Sequence, residues 1–127
     1  MITRISFRRF AVVVSAALSA AGVCAAQSAG AAAFETSCGV CHALEPTAGK
    51  IGPPLTGVFG RKAASVAGYP YSAALKSSNV VWTRTALDAF LMSPAKLIPG
   101  TRMMINVPDP ASRKDIVDFL ADPDGKR

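Results

Sequence analysis

Residues 35 to 46 read ETSCGVCHALEP, so Cys38 and Cys41 stand two residues apart and His42 follows directly. Three chemistries use cysteines at this spacing: a reactive disulfide, a zinc site, or covalent attachment of a haem. A structural zinc site takes four Cys or His ligands, usually as two separated pairs. Beyond residue 26 the chain offers only these two cysteines, and His42 is its single histidine. A thioredoxin-like pair opens a helix beside a strand of an α/β fold; no alternating strand pattern is visible, and the histidine would go unused. Haem attachment uses all three side chains. The thiols add across two porphyrin vinyl groups as thioethers, and the imidazole turns onto the iron. The residues therefore point to one covalent haem c.

An iron bound by His42 has a second axial position. With no further histidine and no free thiol, its protein ligand is a methionine or a lysine. Met92 falls on a helical pattern with Leu87, Phe90 and Leu91 and reads as core or helix surface. Met103 and Met104 follow Pro99-Gly100 in a loop, where backbone approaches a flat cofactor closely. Neighbouring side chains of an extended loop point opposite ways, so only one of the two faces the iron.

The elements that must position these groups are short. A helix is expected from about Ser28 to Ala43, leading into the cysteine motif. Glu45 to Tyr71 is rich in glycine and proline and reads as a long loop of the kind that lines a site or wraps something bulky. Ser72–Ser77 forms a short helix. Thr83 N-caps a better one to Met92, Ser93-Pro94 restarts a single turn, and Asp109-Pro110 opens a last helix. In that last helix Ile116, Phe119 and Leu120 share one face. The class is all-α. Such helices make a thin core for about 100 residues, so a cofactor should fill the middle.

The chain has 127 residues and a formal net charge of +6. Part of that charge belongs to residues 1–26, where Arg4, Arg8 and Arg9 precede an apolar run from Phe10 to Val23 and small residues at Ala25 and Ala26. This is the layout of an export signal, too short for a comfortable membrane span. Residues 27–127 then form one domain with 11 basic and 8 acidic side chains, a net of +3. Its Lys and Arg are scattered rather than striped among aromatics, which argues against nucleic-acid binding. Bulky Val23 before Cys24 favours ordinary cleavage over lipid attachment.

Taken in order, the segments CGVCH with Phe34 four residues before it, GPPLTGVFGRK, GYPYS, VVW, PGTRM and RKDIVDFL resemble class I cytochrome c, from about Gly30 to Leu120. The resemblance implies a small fold in which the first and last helices cross, at Gly30, Phe34, Ile116, Phe119 and Leu120, while long loops wrap the haem. It makes Met103 the sixth ligand and has the Pro53 carbonyl fix the His42 ring. It assigns Arg61, Tyr71 and Trp82 to the haem propionates and places Thr101 in the ligand loop. Leu75, Phe90 and Leu97 depart from a common pattern of asparagine, tyrosine and an aromatic, which implies a less polar ligand side.

Two protein axial ligands leave no open site for a small-molecule substrate. The expectation is a periplasmic one-electron carrier, not an enzyme, that cycles ferric and ferrous haem. The His–Met pair raises its potential. Partners would be membrane or periplasmic redox proteins with acidic docking surfaces, steered by Lys50, Lys76, Lys96 and Arg102, with the chain itself monomeric. The alternative is a labile methionine that opens the iron to peroxide or a small ligand, giving a peroxidase or a sensor.

Overall fold

The computed structural model describes residues 20–126, with side chains from residue 29 onward. Expectations for residues 1–19 and for the Cys24 side chain lie outside the described residues. The described residues form five helices in order: α1 Ala20–Ser37, α2 Ala73–Ser77, α3 Arg84–Met92, α4 Pro94–Leu97 and α5 Pro110–Ala121. Among the described residues there is no strand. A lone antiparallel bridge joins Lys62 to Val81.

Local chemistry accounts for the helix limits. The Ser72, Thr83 and Asp109 side chains accept the N–H groups of Leu75, Ala86 and Ser112, capping α2, α3 and α5. Pro94 and Pro110 occupy first-turn positions where a missing N–H costs nothing. α1 differs from expectation: within the described residues it spans Ala20–Ser37 rather than running from about Ser28 to Ala43. The alanine-rich stretch before Phe34 has high helix propensity and no breaker, so the helix extends backwards. Past Ser37 the backbone continues as a turn.

The main packing is α1 across α5, with α3 against α5 and α4 beside α3. Gly30 permits the crossing, because a Cβ there would lie 2.7 Å from the Asp115 carbonyl oxygen and 2.8 Å from the Phe119 Cβ. The rings of Phe34 and Phe119 meet with centroids 5.4 Å apart, and Phe34, Ile116 and Val117 are the most deeply buried large side chains. Six further core residues, Val58, Trp82, Leu87, Phe90, Leu91 and Leu120, line a cavity with apolar side chains.

Residues 43 to 71 form the long loop, tied down by Gly60 N–H to the Trp82 carbonyl, Trp82 N–H to the Arg61 carbonyl (both 2.9 Å) and Ala63 N–H to the Val80 carbonyl at 2.8 Å. These bonds hold Arg61 and Trp82 beside each other in the cavity wall.

Candidate haem site

A cavity of about 920 Å³ lies between the loops and helices α3 and α5. That is a large ligand site for so small a domain. All nine residues singled out in the sequence line it: Cys38, Cys41, His42, Pro53, Arg61, Tyr71, Trp82, Thr101 and Met103.

The cysteine motif makes one helix-like turn beyond α1. Cys38 N–H donates to the Phe34 carbonyl at 2.7 Å, Cys41 N–H to the Cys38 carbonyl at 3.0 Å, and His42 N–H to the Cys38 carbonyl at 2.8 Å. Residues three and four apart on such a turn share a face, so both thiols and the imidazole reach the same cavity. Burial, then Glu35, then Cys41, push the Cys38 thiol up to about 11. It is a thiol at neutral pH, unlike the thiolate of a reactive redox pair. Lys50 Nζ donates to the Gly39 carbonyl and closes the turn from outside.

The His42 ring is fixed on two sides. Its Nδ1–H donates to the Pro53 carbonyl at 2.9 Å, which leaves Nε2 as the ring's lone-pair atom. Gly52 lies against the ring: a Cβ there would fall 2.3 to 2.7 Å from three of its atoms. The Gly52 N–H donates back to the Cys41 carbonyl at 2.8 Å.

Across the cavity wall, Arg61 donates through Nη1 to the Thr56 carbonyl at 2.9 Å and through Nη2 to the Pro54 carbonyl at 3.3 Å. Its Nε is buried with no protein partner, a donor that fits an anionic group within the cavity. Tyr71 sits beside it, with its hydroxyl pushed above the ordinary range mainly by burial, against opposing effects of the Val66 backbone and Arg61. Trp82 packs on Phe90 at 4.9 Å between centroids. Leu75 and Phe90, two of the three departures noted in the sequence, line the cavity with apolar side chains, while Leu97 does not line it.

The methionines separate by position. Met103 is half-buried and packs on the core, and its N–H donates to Thr101 Oγ1 at 3.3 Å. Met104 is 81% exposed at the rim, and Met92 is 45% exposed and does not line the cavity. Sequence reasoning gave no cavity role to Tyr69, which lines it, rests its ring on Tyr71 at 4.6 Å and donates its hydroxyl to the Ile51 carbonyl at 2.6 Å. The GYPYS segment carried that signal in its other tyrosine. Arg102 Nη1 donates to the Pro70 carbonyl at 2.9 Å, joining the ligand loop to the same segment.

A buried and a half-buried thiol with a fixed imidazole on one apolar cavity, and an unpartnered guanidinium nitrogen in its wall, define a c-type haem protein. The family model described as Cytochrome c matches residues 27–122. The cytochrome c of Cochliobolus lunatus is 45% identical over 93 residues, covering 72% of this chain and 86% of the relative. That of Arabidopsis thaliana is 45% identical over 93 residues, covering 72% and 83%. Among solved structures, cytochrome cH from Methylobacterium extorquens superposes with a TM-score of 0.69 at 38% identity, covering 75% of this chain and 96% of that one. The chain belongs to the cytochrome c family. It is a carrier of electrons between redox partners, with haem c held through its cysteines.

Proposed function

We propose that the chain is exported by residues 1–26 and works in the periplasm as a monomeric one-electron carrier with His42 and Met103 as axial ligands. The family match starting at residue 27, next to the expected cleavage point, supports the division of the chain. Among the described residues no helix is long and apolar enough to cross a membrane.

Haem c, when bound, supplies an iron that gains or loses one electron. The protein residues do the rest. Cys38 and Cys41 hold the macrocycle by thioethers. Pro53 and Gly52 orient the His42 imidazole and leave its Nε2 lone pair as the atom that would bind iron. Thr101 orders the backbone at Met103. Arg61 Nε, with Tyr71 and Trp82, would receive the propionates. The apolar side chains of Leu75, Phe90 and Leu91 in the wall would keep water from the haem, disfavour the extra charge of its ferric state and raise the potential.

With His42 and Met103 both bound to iron, no position would stay open for a small-molecule substrate, which supports a carrier rather than an enzyme. In the cavity lining, Ile51 is an exposed apolar residue beside Lys50, while the exposed Met104 and Ile105 lie beside Arg102. An acidic partner suits that rim.

The observation that carries this reading is the Pro53-held imidazole in a cavity also lined by Met103. The experiment is a spectrum of the purified mature protein in both oxidation states, with a titrated potential. A low-spin ferric haem with the methionine-to-iron charge-transfer band is expected. A high-spin ferric haem would overturn the carrier assignment in favour of a peroxidase or sensor.

A further inference from the structure

One charged side chain among the described residues is buried, and it lies outside the haem contacts. Arg113, on α5, is 7% exposed. Its Nε donates to Asp88 Oδ1 on α3 at 2.8 Å. Its Nη1 donates to two successive carbonyls, Val107 at 3.0 Å and Pro108 at 2.8 Å. The Val107 N–H donates in turn to the Leu91 carbonyl of α3, at 2.8 Å. Val107 itself is buried. The chain is therefore fastened to two helices at a point four residues beyond Met103.

The two ends of this loop are held differently. Its entry is tied by Arg102 to the Pro70 carbonyl, but Arg102 is exposed to solvent. Between the anchors, Met104, Ile105 and Asn106 are all exposed and Met103 alone packs inward. A bond in water is exchanged for bonds to water at little cost, whereas a buried carbonyl that loses its donor stays unsatisfied. The exit is the firmer anchor. It also demands a guanidinium, because one ammonium cannot span a carboxylate and two carbonyls with the geometry of a fixed fork.

We infer that Arg113 is a positioning residue for the sixth ligand: it holds the exit of the loop that carries Met103 and thereby sets how readily the thioether is displaced from the haem iron. This rests on Met103 being that ligand. An external ligand such as imidazole binds only when Met103 has let go, so its apparent affinity is its intrinsic affinity scaled by the fraction of molecules with the loop released. Loosening the exit raises that fraction.

The test is an imidazole titration of the ferric holoprotein, followed by loss of the methionine charge-transfer band, in Arg113→Lys and Arg113→Gln. Ile116→Val, on the same helix and fully buried but with no bond to the loop, serves as a control for general loss of stability, compared at its own urea midpoint. Tighter apparent imidazole binding by about ten-fold or more in the Arg113 variants, with little change in Ile116→Val, supports the inference. Equal behaviour of control and Arg113 variants overturns it. The unmutated holoprotein supplies a second reading that needs no variant: amide exchange at Val107 should be far slower than at Met104, and equal rates would overturn the inference even if the Arg113 variants fail to mature. Met103→Ala separates the two claims. If it keeps the band, the ligand assignment fails and this inference with it; if it loses the band while the Arg113 variants match the control, only the role of Arg113 fails.

Discussion

The Nδ1 atom of His42 lies 2.9 Å from the carbonyl oxygen of Pro53, eleven residues further along the chain. A carbonyl only accepts, so the proton sits on Nδ1 and the metal-binding lone pair on Nε2. The tautomer needed for iron ligation is thus decided by backbone geometry in the loop, and Gly52 makes that geometry possible by lying flat against the ring.

Gly52→Ala should displace the imidazole or the loop. Either shift breaks the Pro53 bond, and overpacking of this kind costs about 1–3 kcal/mol. The expected result is a lower yield of mature holoprotein and a lower urea midpoint, measured by haem absorbance and circular dichroism. A variant with normal yield and midpoint would show that the ring contact relaxes freely.

Among the methionines, Met103→Ala should abolish the ferric charge-transfer band and lower the potential, since a weak thioether ligand favours the ferrous state. Met104→Ala and Met92→Ala should retain both, as these side chains are largely exposed. Loss of the band in Met104→Ala instead would move the ligand by one residue.

At alkaline pH a deprotonated lysine competes with the thioether for ferric iron. Lys96, on α4, and Arg102 flank the ligand loop, and the guanidinium keeps its proton and offers no lone pair. One lysine-ligated alkaline form is expected. Lys96→Ala should remove its paramagnetic resonance signal and move band loss to higher pH. An unchanged midpoint with an unchanged signal would assign the ligand to a more distant lysine such as Lys50 or Lys76.

Acid stability should depend on the cap of α5. The Ser112 N–H and hydroxyl hold the Asp109 carboxyl below the ordinary aspartate range, with smaller help from Ala111 and Arg113 against slight desolvation. A depressed folded pKa stabilises the fold above the unfolded value, roughly 4, and that contribution fades as pH falls through the lower folded value. Asp109→Asn keeps a capping oxygen but not the charge. Its urea midpoint should trail the parent at neutral pH, and the gap should close in acid. A gap independent of pH would exclude the carboxylate as its source.

The capped helices were legible because each signal is local. Thr83, Asp109-Pro110 and Ser93-Pro94 act on residues within one turn of themselves, and the structure starts α3, α4 and α5 where they stand. The start of α1 was not, since a run of alanines has propensity without a stop. The cavity wall was legible through family motifs, although the bonds that order it cross the chain. Arg102 reaches Pro70, and Arg113 reaches back to Asp88 and Val107. In sequence both arginines look like ordinary surface charges. Only the fold shows that Arg113 is inside.

The crossing at Gly30 joins the first helix of the domain to the last, and this orders events in time. A chain emerging N-terminus first presents Cys38, Cys41 and His42 well before α5 exists to cover α1. The contact that closes the fold over α1 therefore forms only after the final residues arrive, long after the attachment motif has been made. A chain cut short before Pro110 would keep its thiols but lack the helix that α1 packs against.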